Sequence, residues 1–327
     1  MRIGIITDAH LFHRYAITPE KYKDILNNMD VDIIVDCGDL TDKSNLNASQ
    51  LDNMSKIFKD ITKPMYIVAG NHDSLDSTTV ASILNLNDNI HIIKNEPQII
   101  DGMLFVPYTD DIKGLYKKLD KLVDEQVAVM FSHLNITDNI YASIPFRNLP
   151  KIQKYAERIF NGHIHDYEEN FSVYGCFYNI GSSSSLTFGD EHYPCYTIYD
   201  TEDNKVTNHV IYDSIVHKTY DVSKQDVDVI LQSIKQLTKQ FKLRCRLNMP
   251  NNVDSVELRK KLKEKLELND RVVSVTFNYI KDKEIAKKNK EKTEEKLDKT
   301  PLMEQLFNYF EKDCEIKLDE EIKKELL

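Results

Sequence analysis

The sequence predicts an α/β fold, and three observations carry that reading. Short apolar runs alternate with amphipathic stretches up to about residue 160, each run ends in a polar cluster, and a second strand-rich region occupies residues 171–215. The first strand is RIGIIT at the N-terminus. VDIIVDCG, PMYIVAG, VAVMFSH and RIFNGH repeat its form: a compact apolar run closed by polar residues. Between them, QLDNMSKIFKDI and KGLYKKLDKLVDE place Leu, Ile or Phe at i, i+3 and i+4, the spacing of one helix face. Strand–helix alternation of this kind predicts a layer of buried strands covered by helices. FSVYGCFYNI, CYTIYD and NHVIYD then read as strands of a second sheet, or of a sheet edge, packed on the first.

A second unit begins near residue 216. Residues 223–240 put Val227, Ile230, Ile234 and Leu237 on one helical face. FKLRCRLN alternates, with Lys242, Arg244 and Arg246 opposite Phe241, Leu243 and Cys245. Residues 254–267 are helical again through Leu258, Leu262 and Leu266, and VVSVTFNYI closes a small β-α-β-α-β module. Lys, Glu, Asp and Asn dominate residues 281–299, a solvated helix or a linker. From Pro301 an amphipathic tail aligns Leu302, Leu306 and Phe310, with Met303 and Phe307 beside them.

Composition bounds the function. The chain has 327 residues, 41% of them hydrophobic, enough for one large or two ordinary domains. The net charge of −10 is uneven: residues 1–200 carry 17 Lys/Arg against 28 Asp/Glu, and the remainder 26 against 25. An acidic first half argues against nucleic-acid binding by simple charge attraction there, and suits the binding of divalent cations. Five scattered cysteines without a CxxC pair read as reduced thiols, and Cys37 as core. No apolar window reaches membrane-spanning length, and MRIGIITDAH turns polar too early for a signal peptide, so a cytoplasmic location is expected.

The polar clusters are Asp8-x-His10, Gly38-Asp39, Gly70-Asn71-His72-Asp73, His133 and Gly162-His163-x-His165. In an open α/β sheet the carboxyl ends of the strands face one crevice, where ligands bind. Five segments could thus deliver carboxylate, imidazole and an Asn carbonyl to one place, a donor set for borderline divalent metals such as Mn, Fe or Zn. With no cysteine among them, a structural zinc–thiolate site is not expected. On an extended backbone, residues i and i+2 point the same way, so His163 and His165 are expected to face the crevice together. His13, His91, His192, His209 and His217 lack such context and read as ordinary surface or core residues.

The set D-x-H, G-D, G-N-H-D, H and G-H-x-H resembles the calcineurin-like metallophosphoesterases, and within them the SbcD-type nucleases of DNA double-strand-break repair and recombination, in particular their compact phage counterparts. The resemblance covers roughly residues 1–190. It implies a two-sheet metallophosphoesterase sandwich flanked by helices, with a small α+β capping domain and a C-terminal helical partner-docking tail. The implied division is a nuclease domain over 1–215, a DNA-capping domain over 216–280, a charged linker over 281–299 and an ATPase-docking segment over 300–327. It further implies two divalent metals, Mn or else Mg. One would be held by Asp8, His10, Asp39 and His165, and the other by Asp39, Asn71, His133 and His163, with His72 as the catalytic histidine. The implied partners are DNA, double-stranded ends and single strands alike, and an SbcC-like coiled-coil ATPase, with a homodimer formed through residues 47–62 and 77–86 and no membrane. The chain departs from cellular members at Asp42, where they often carry a histidine, and it lacks the Arg-Gly of protein phosphatases. GDLTD also occurs in cyclic-nucleotide phosphodiesterases of the superfamily. A small-molecule metallophosphodiesterase is therefore the alternative reading, and a scaffold with a vestigial site a third. For a nuclease, Lys235, Lys239, Lys242, Arg244, Arg246 and Arg259-Lys260-Lys261 are the expected phosphate contacts.

Overall fold

A computed structural model describes residues 1–43, 45–73, 87–138, 143–172, 175–190, 192–249 and 254–279. The linker 281–299, the docking segment 300–327 and the stretch 77–86 expected in a dimer lie outside the described residues. Among the described residues no helix is long and apolar enough to cross a membrane.

Two mixed six-stranded sheets stack face to face. In the first, β1 (Arg2–Ile6), β2 (Ile33–Asp36), β3 (Met65–Val68) and β4 (Ile90–Ile93) run parallel. Beyond β1 lie the antiparallel strands β11 (Cys195–Asp200) and β12 (Lys205–Val210). In the second sheet β6 (Met103–Val106), β7 (Val127–Ser132), β8 (Ala156–Asn161) and β10 (Gly175–Ile180) run parallel. Its edges are the antiparallel strands β5 (Gln98–Ile100) and β9 (Tyr167–Ser172). Helices α1 (Pro19–Asn28) and α2 (Ala48–Phe58) cover the outer face of the first sheet, and α3 (Ile112–Leu122) with the short α4 (Leu149–Gln153) that of the second.

Strands β1, β2, β3 and β6 are buried on both faces, as are the C-terminal halves of β7, β8 and β10, which explains continuous apolar runs in place of alternating ones. In β1, Ile3 and Ile5 face the second sheet while Ile6 packs under the helices. In β7, Val129 and Phe131 face inward and Met130 outward. Tyr66, Phe105, Phe131, Phe160 and Tyr178 form a ladder between the sheets, with ring centroids 4.9–5.7 Å apart. The sequence reading missed α1, whose Thr18 cap and following proline are ordinary start signals, and it missed β4, β5 and β6, strands of three or four residues.

The third sheet is all parallel, in the order β13 (Ile215–Asp221), β14 (Lys242–Met249), β15 (Val272–Tyr279). Helices α5 (Val227–Leu237) and α6 (Asp254–Glu267) cover one face through Ile230, Ile234, Leu262 and Leu266, packed on Leu243, Cys245 and Leu247. The other face of β14 meets the sandwich. The Arg244 guanidinium lies 3.7 Å from the Tyr15 ring centroid and 2.9 Å from His217 Nε2, and Arg246 lies 4.0 Å from that of Phe188. Lys242 faces Asp213 at 3.6 Å. Arg244 and Arg246 are thus engaged in packing, a different use from the open phosphate track expected of them, while Lys242 is exposed.

Candidate metal centre

The five polar clusters follow β1, β2 and β3 of one sheet and β7 and β8 of the other, so parallel strands from both sheets point them into a shared cleft. Backbone bonds continue past the strand ends: the Asp8 amide donates to the Gly38 carbonyl at 2.8 Å, and the His10 amide to the Asp39 carbonyl at 2.9 Å. The turns are tight. Asp8, His10, Asp39 and His163 all have left-handed φ angles, between 44° and 72°. Such conformations cost of order 1–3 kcal/mol each for non-glycine residues and persist where the surroundings over-determine them, typically at functional sites. His163 therefore does not sit on extended backbone, and its left-handed turn, not strand alternation, brings it beside His165. Gly38 has φ +102°, and a Cβ there would lie 2.5 Å from His133 Nδ1. A Cβ on Gly70 would lie 2.2 Å from Asp39 Oδ1. Glycine permits both close approaches.

The seven expected ligands all reach the cleft. His10 Nε2 lies 3.9 Å from Asp8 Oδ1 and 3.8 Å from Asp39 Oδ2, and His165 Nε2 lies 3.6 Å from Asp8 Oδ1. On the other side, His133 Nε2 lies 3.4 Å from the same Asp39 Oδ2, 3.3 Å from Asn71 Oδ1 and 3.3 Å from His163 Nδ1. His163 Nδ1 lies 2.9 Å from Asn71 Oδ1. Most of these separations are long for hydrogen bonds, and they fit donor atoms sharing an ion at about 2.1 Å each. Asp8 Oδ1 and both His10 nitrogens are buried without a hydrogen-bond partner. Polar atoms rarely stay so in an apolar interior, and a cation in the cleft would satisfy Asp8 Oδ1 and His10 Nε2, so these residues fit a metal pair.

Supporting contacts aim the donors. Asp8 Oδ2 accepts from Thr7 Oγ1 and the His163 amide, which leaves Oδ1 for the cleft. Asp39 Oδ1 accepts from the His72 amide, which leaves Oδ2. His133 Nδ1 donates to the Cys37 carbonyl at 2.6 Å, and His165 Nδ1 faces Asp190 Oδ1 at 3.5 Å. His10 Nδ1 faces Asp42 Oδ1 at 3.8 Å, so the departure at Asp42 still puts an acceptor behind a cleft histidine.

The sequence reading missed several of these supports. Asp73 accepts from the amides of Asp39, Thr41 and Gly70 at 2.7–3.0 Å and so ties two of the loops together. Ser183, Ser182 and Ser184 donate their hydroxyls to the consecutive carbonyls of Thr7, Asp8 and Ala9 at 2.8–2.9 Å. Asp73 stands in GNHD and had a signal. The serines and Asp190 follow no strand-end pattern, and only the fold brings them in.

Charge in the cleft is strongly redistributed. Burial alone would raise the Asp39 carboxyl, but the charge and hydrogen bond of His133, with help from His10, hold it well below the usual range. Burial would lower His133, yet Asp39 and Asp8 hold it up at about 9. His163 falls to about 4 through burial and repulsion from His133. Ligation requires neutral imidazoles, so cation binding here is linked to proton release. His72 is exposed at the rim, with its ring edge-on to His10 at 5.1 Å and Nδ1 3.2 Å from the Asp42 carbonyl oxygen, and its donor atom lies within 4.8 Å of those of His10 and Asp42, a further group that could hold a cation.

The chain is similar to several known proteins. A probable metallophosphoesterase of Methanocaldococcus jannaschii is 38% identical over 88 residues, 27% of this chain and 39% of the relative, so only a minor part of that protein is matched. Among solved structures, a novel archaeal phosphodiesterase is 19% identical, with a TM-score of 0.40, over 64% of this chain and 99% of the other. Vps29 from Entamoeba histolytica, complexed with zinc, is 17% identical, with a TM-score of 0.37, over 65% and 91%. The family model of the calcineurin-like phosphoesterases matches residues 1–167, the span that contains β1 to β8 and every donor of the cleft. On that match, the chain belongs to the calcineurin-like phosphoesterase family.

Proposed function

We propose that this chain is a two-metal, Mn-dependent DNA nuclease, an SbcD-like 3'-5' exonuclease and single-strand endonuclease of recombination and double-strand-break repair that works with an SbcC-like ATPase. The observation that carries its hydrolytic part is Asp39 Oδ2, which lies between His10 Nε2 and His133 Nε2 at 3.8 and 3.4 Å. In this reading Asp8, His10, Asp39 and His165 hold one cation, and Asp39, Asn71, His133 and His163 the other. Bound there, two divalent cations would supply Lewis acidity towards a phosphoryl oxygen and water of lowered pKa.

His72 completes the chemistry. The Asp42 carbonyl can only accept, so His72 Nδ1 donates to it and Nε2 is the nitrogen turned to the substrate; as the imidazolium, His72 would give its Nε2 proton to the departing sugar oxygen and be left as the neutral Nδ1–H tautomer. The DNA part of the reading rests on the family resemblance and on the five-element module over Ile215–Tyr279, for which a small diester has no evident need. Labelled duplex DNA assayed beside bis-p-nitrophenyl phosphate, with Mn or Mg, tests it. Degradation of the DNA supports the nuclease. Hydrolysis of the small ester with intact DNA transfers the site to small-molecule phosphodiesters.

A further inference from the structure

We propose that Asp190 is a positioning residue that couples the seating of the three-stranded module to the orientation of His165 in the metal cleft. The inference rests on the metal-binding part of the function proposed above. It begins at one carboxylate with two duties. Asp190 accepts from the amides of Leu186 and Thr187 at 2.6 and 3.0 Å and from Thr187 Oγ1 at 3.0 Å, which closes the 186–190 turn. Its Oδ1 also lies 3.5 Å from His165 Nδ1, while His165 Nε2 lies 3.6 Å from Asp8 Oδ1. A carboxylate behind Nδ1 keeps the proton there and leaves the Nε2 lone pair directed at the cleft, the arrangement that ligating histidines need from their outer partners.

The same turn is the seat of the module. Phe188 lies under the guanidinium of Arg246 at 4.0 Å and near that of Arg244 at 5.2 Å, and meets the His217 ring edge-on at 5.1 Å. Ser185 Oγ bonds His217 Nδ1 at 3.0 Å. Residues just before the turn are fastened to the cleft, since Ser182 and Ser184 hold the carbonyls of Asp8 and Ala9. A shift of β13 and β14 must therefore pull on the Phe188 turn, and the turn can move only with Asp190. A module that rocks when a partner or substrate presses on it would change how well His165 is aimed.

Calorimetric titration of the full chain with Mn tests this, comparing wild type, Asp190→Asn, Phe188→Leu and the double variant. Asp190→Asn is expected to weaken one of two Mn sites about 10- to 100-fold, as loss of an outer partner does, and to leave the other unchanged. Phe188→Leu, which touches no cleft residue, is expected to weaken the same site measurably. The double variant should be weaker by less than the product of the two single losses. Wild-type affinity at both sites in Asp190→Asn, or in Phe188→Leu, overturns the proposal. Nitrogen-15 imidazole spectra of the wild type give a second readout should a variant not fold: His165 protonated at Nδ1 supports the proposal, and protonation at Nε2 alone overturns it. A wild-type chain that binds no Mn pair sinks the metal reading instead, a result distinct from either variant outcome.

Discussion

His72 and Asp73 are adjacent and do opposite kinds of work. His72 is exposed, with one nitrogen tied to the Asp42 carbonyl, and in the proposed reading it holds neither cation. Replacing it with alanine should leave Mn stoichiometry at two while lowering cleavage of a sugar-phosphate diester about 10²- to 10⁴-fold, the usual worth of a general acid. Hydrolysis of bis-p-nitrophenyl phosphate should suffer far less, because p-nitrophenolate departs without a proton. Full activity on the sugar diester, or loss of both metals, contradicts that role. Asp73 binds three backbone amides of the metal loops, and Asp73→Ala strands them. At about 1–3 kcal/mol per orphaned donor, the variant should lose roughly 3 kcal/mol or more in chemical denaturation. A loss under about 1 kcal/mol would show that water replaces the carboxylate. What was legible at this scale was which residues enter the cleft, because each follows a strand whose direction the apolar run reveals. The means of entry was not legible. His163 arrives on a left-handed turn, and the left-handed φ at Asp8, His10 and Asp39 is permitted but not dictated by residue type, since Asp and His are only enriched there.

Among the elements, strands closed by a ligand-rich polar cluster are legible, even β2 and β3 with four residues each. Strands β4 to β6, of three or four residues, have no such cluster to mark them, and α1 has a mean polarity that masks its buried Tyr22 and Leu26. The alternation of β14 was read correctly, but the partner of its basic face could not be, since Tyr15 and Phe188 are more than fifty residues away in sequence. At that contact His217 is buried, and burial together with the adjacent Arg244 depresses its pKa to about 4. Arg246 and the more distant His13 add to the depression, while Asp190 opposes it. The folded-state value lies below the unfolded 6.5, so the folded chain resists protonation. Its contribution is complete above pH 6.5 and is lost as the pH falls from 6.5 towards 4, up to about 3 kcal/mol at 1.36 kcal/mol per unit. His217→Gln should flatten the acid limb of a stability–pH curve across that window. An unchanged limb would place the acid sensitivity elsewhere.

At the scale of the molecule, two sheets packed face to face and flanked by helices make a frame, and the frame turns ten-residue separations and hundred-residue separations alike into contacts of a few ångströms. The aromatic ladder from Tyr66 to Tyr178 fixes one sheet against the other, and with it the ends of β1 to β3 against those of β7 and β8. The two-layer architecture was legible because strands and helices alternate in the sequence; the pairing of β8 with β10 and the return of β11 beside β1 were not, since sheet order depends on packing that no local window records. In the proposed function this frame holds one carboxylate oxygen, Asp39 Oδ2, between two cation sites. Anomalous diffraction from crystals soaked in Mn should show two peaks about 3.5–4 Å apart on either side of that oxygen, the spacing of two-metal centres. One peak, or a pair in which Asp39 touches neither ion, would contradict it.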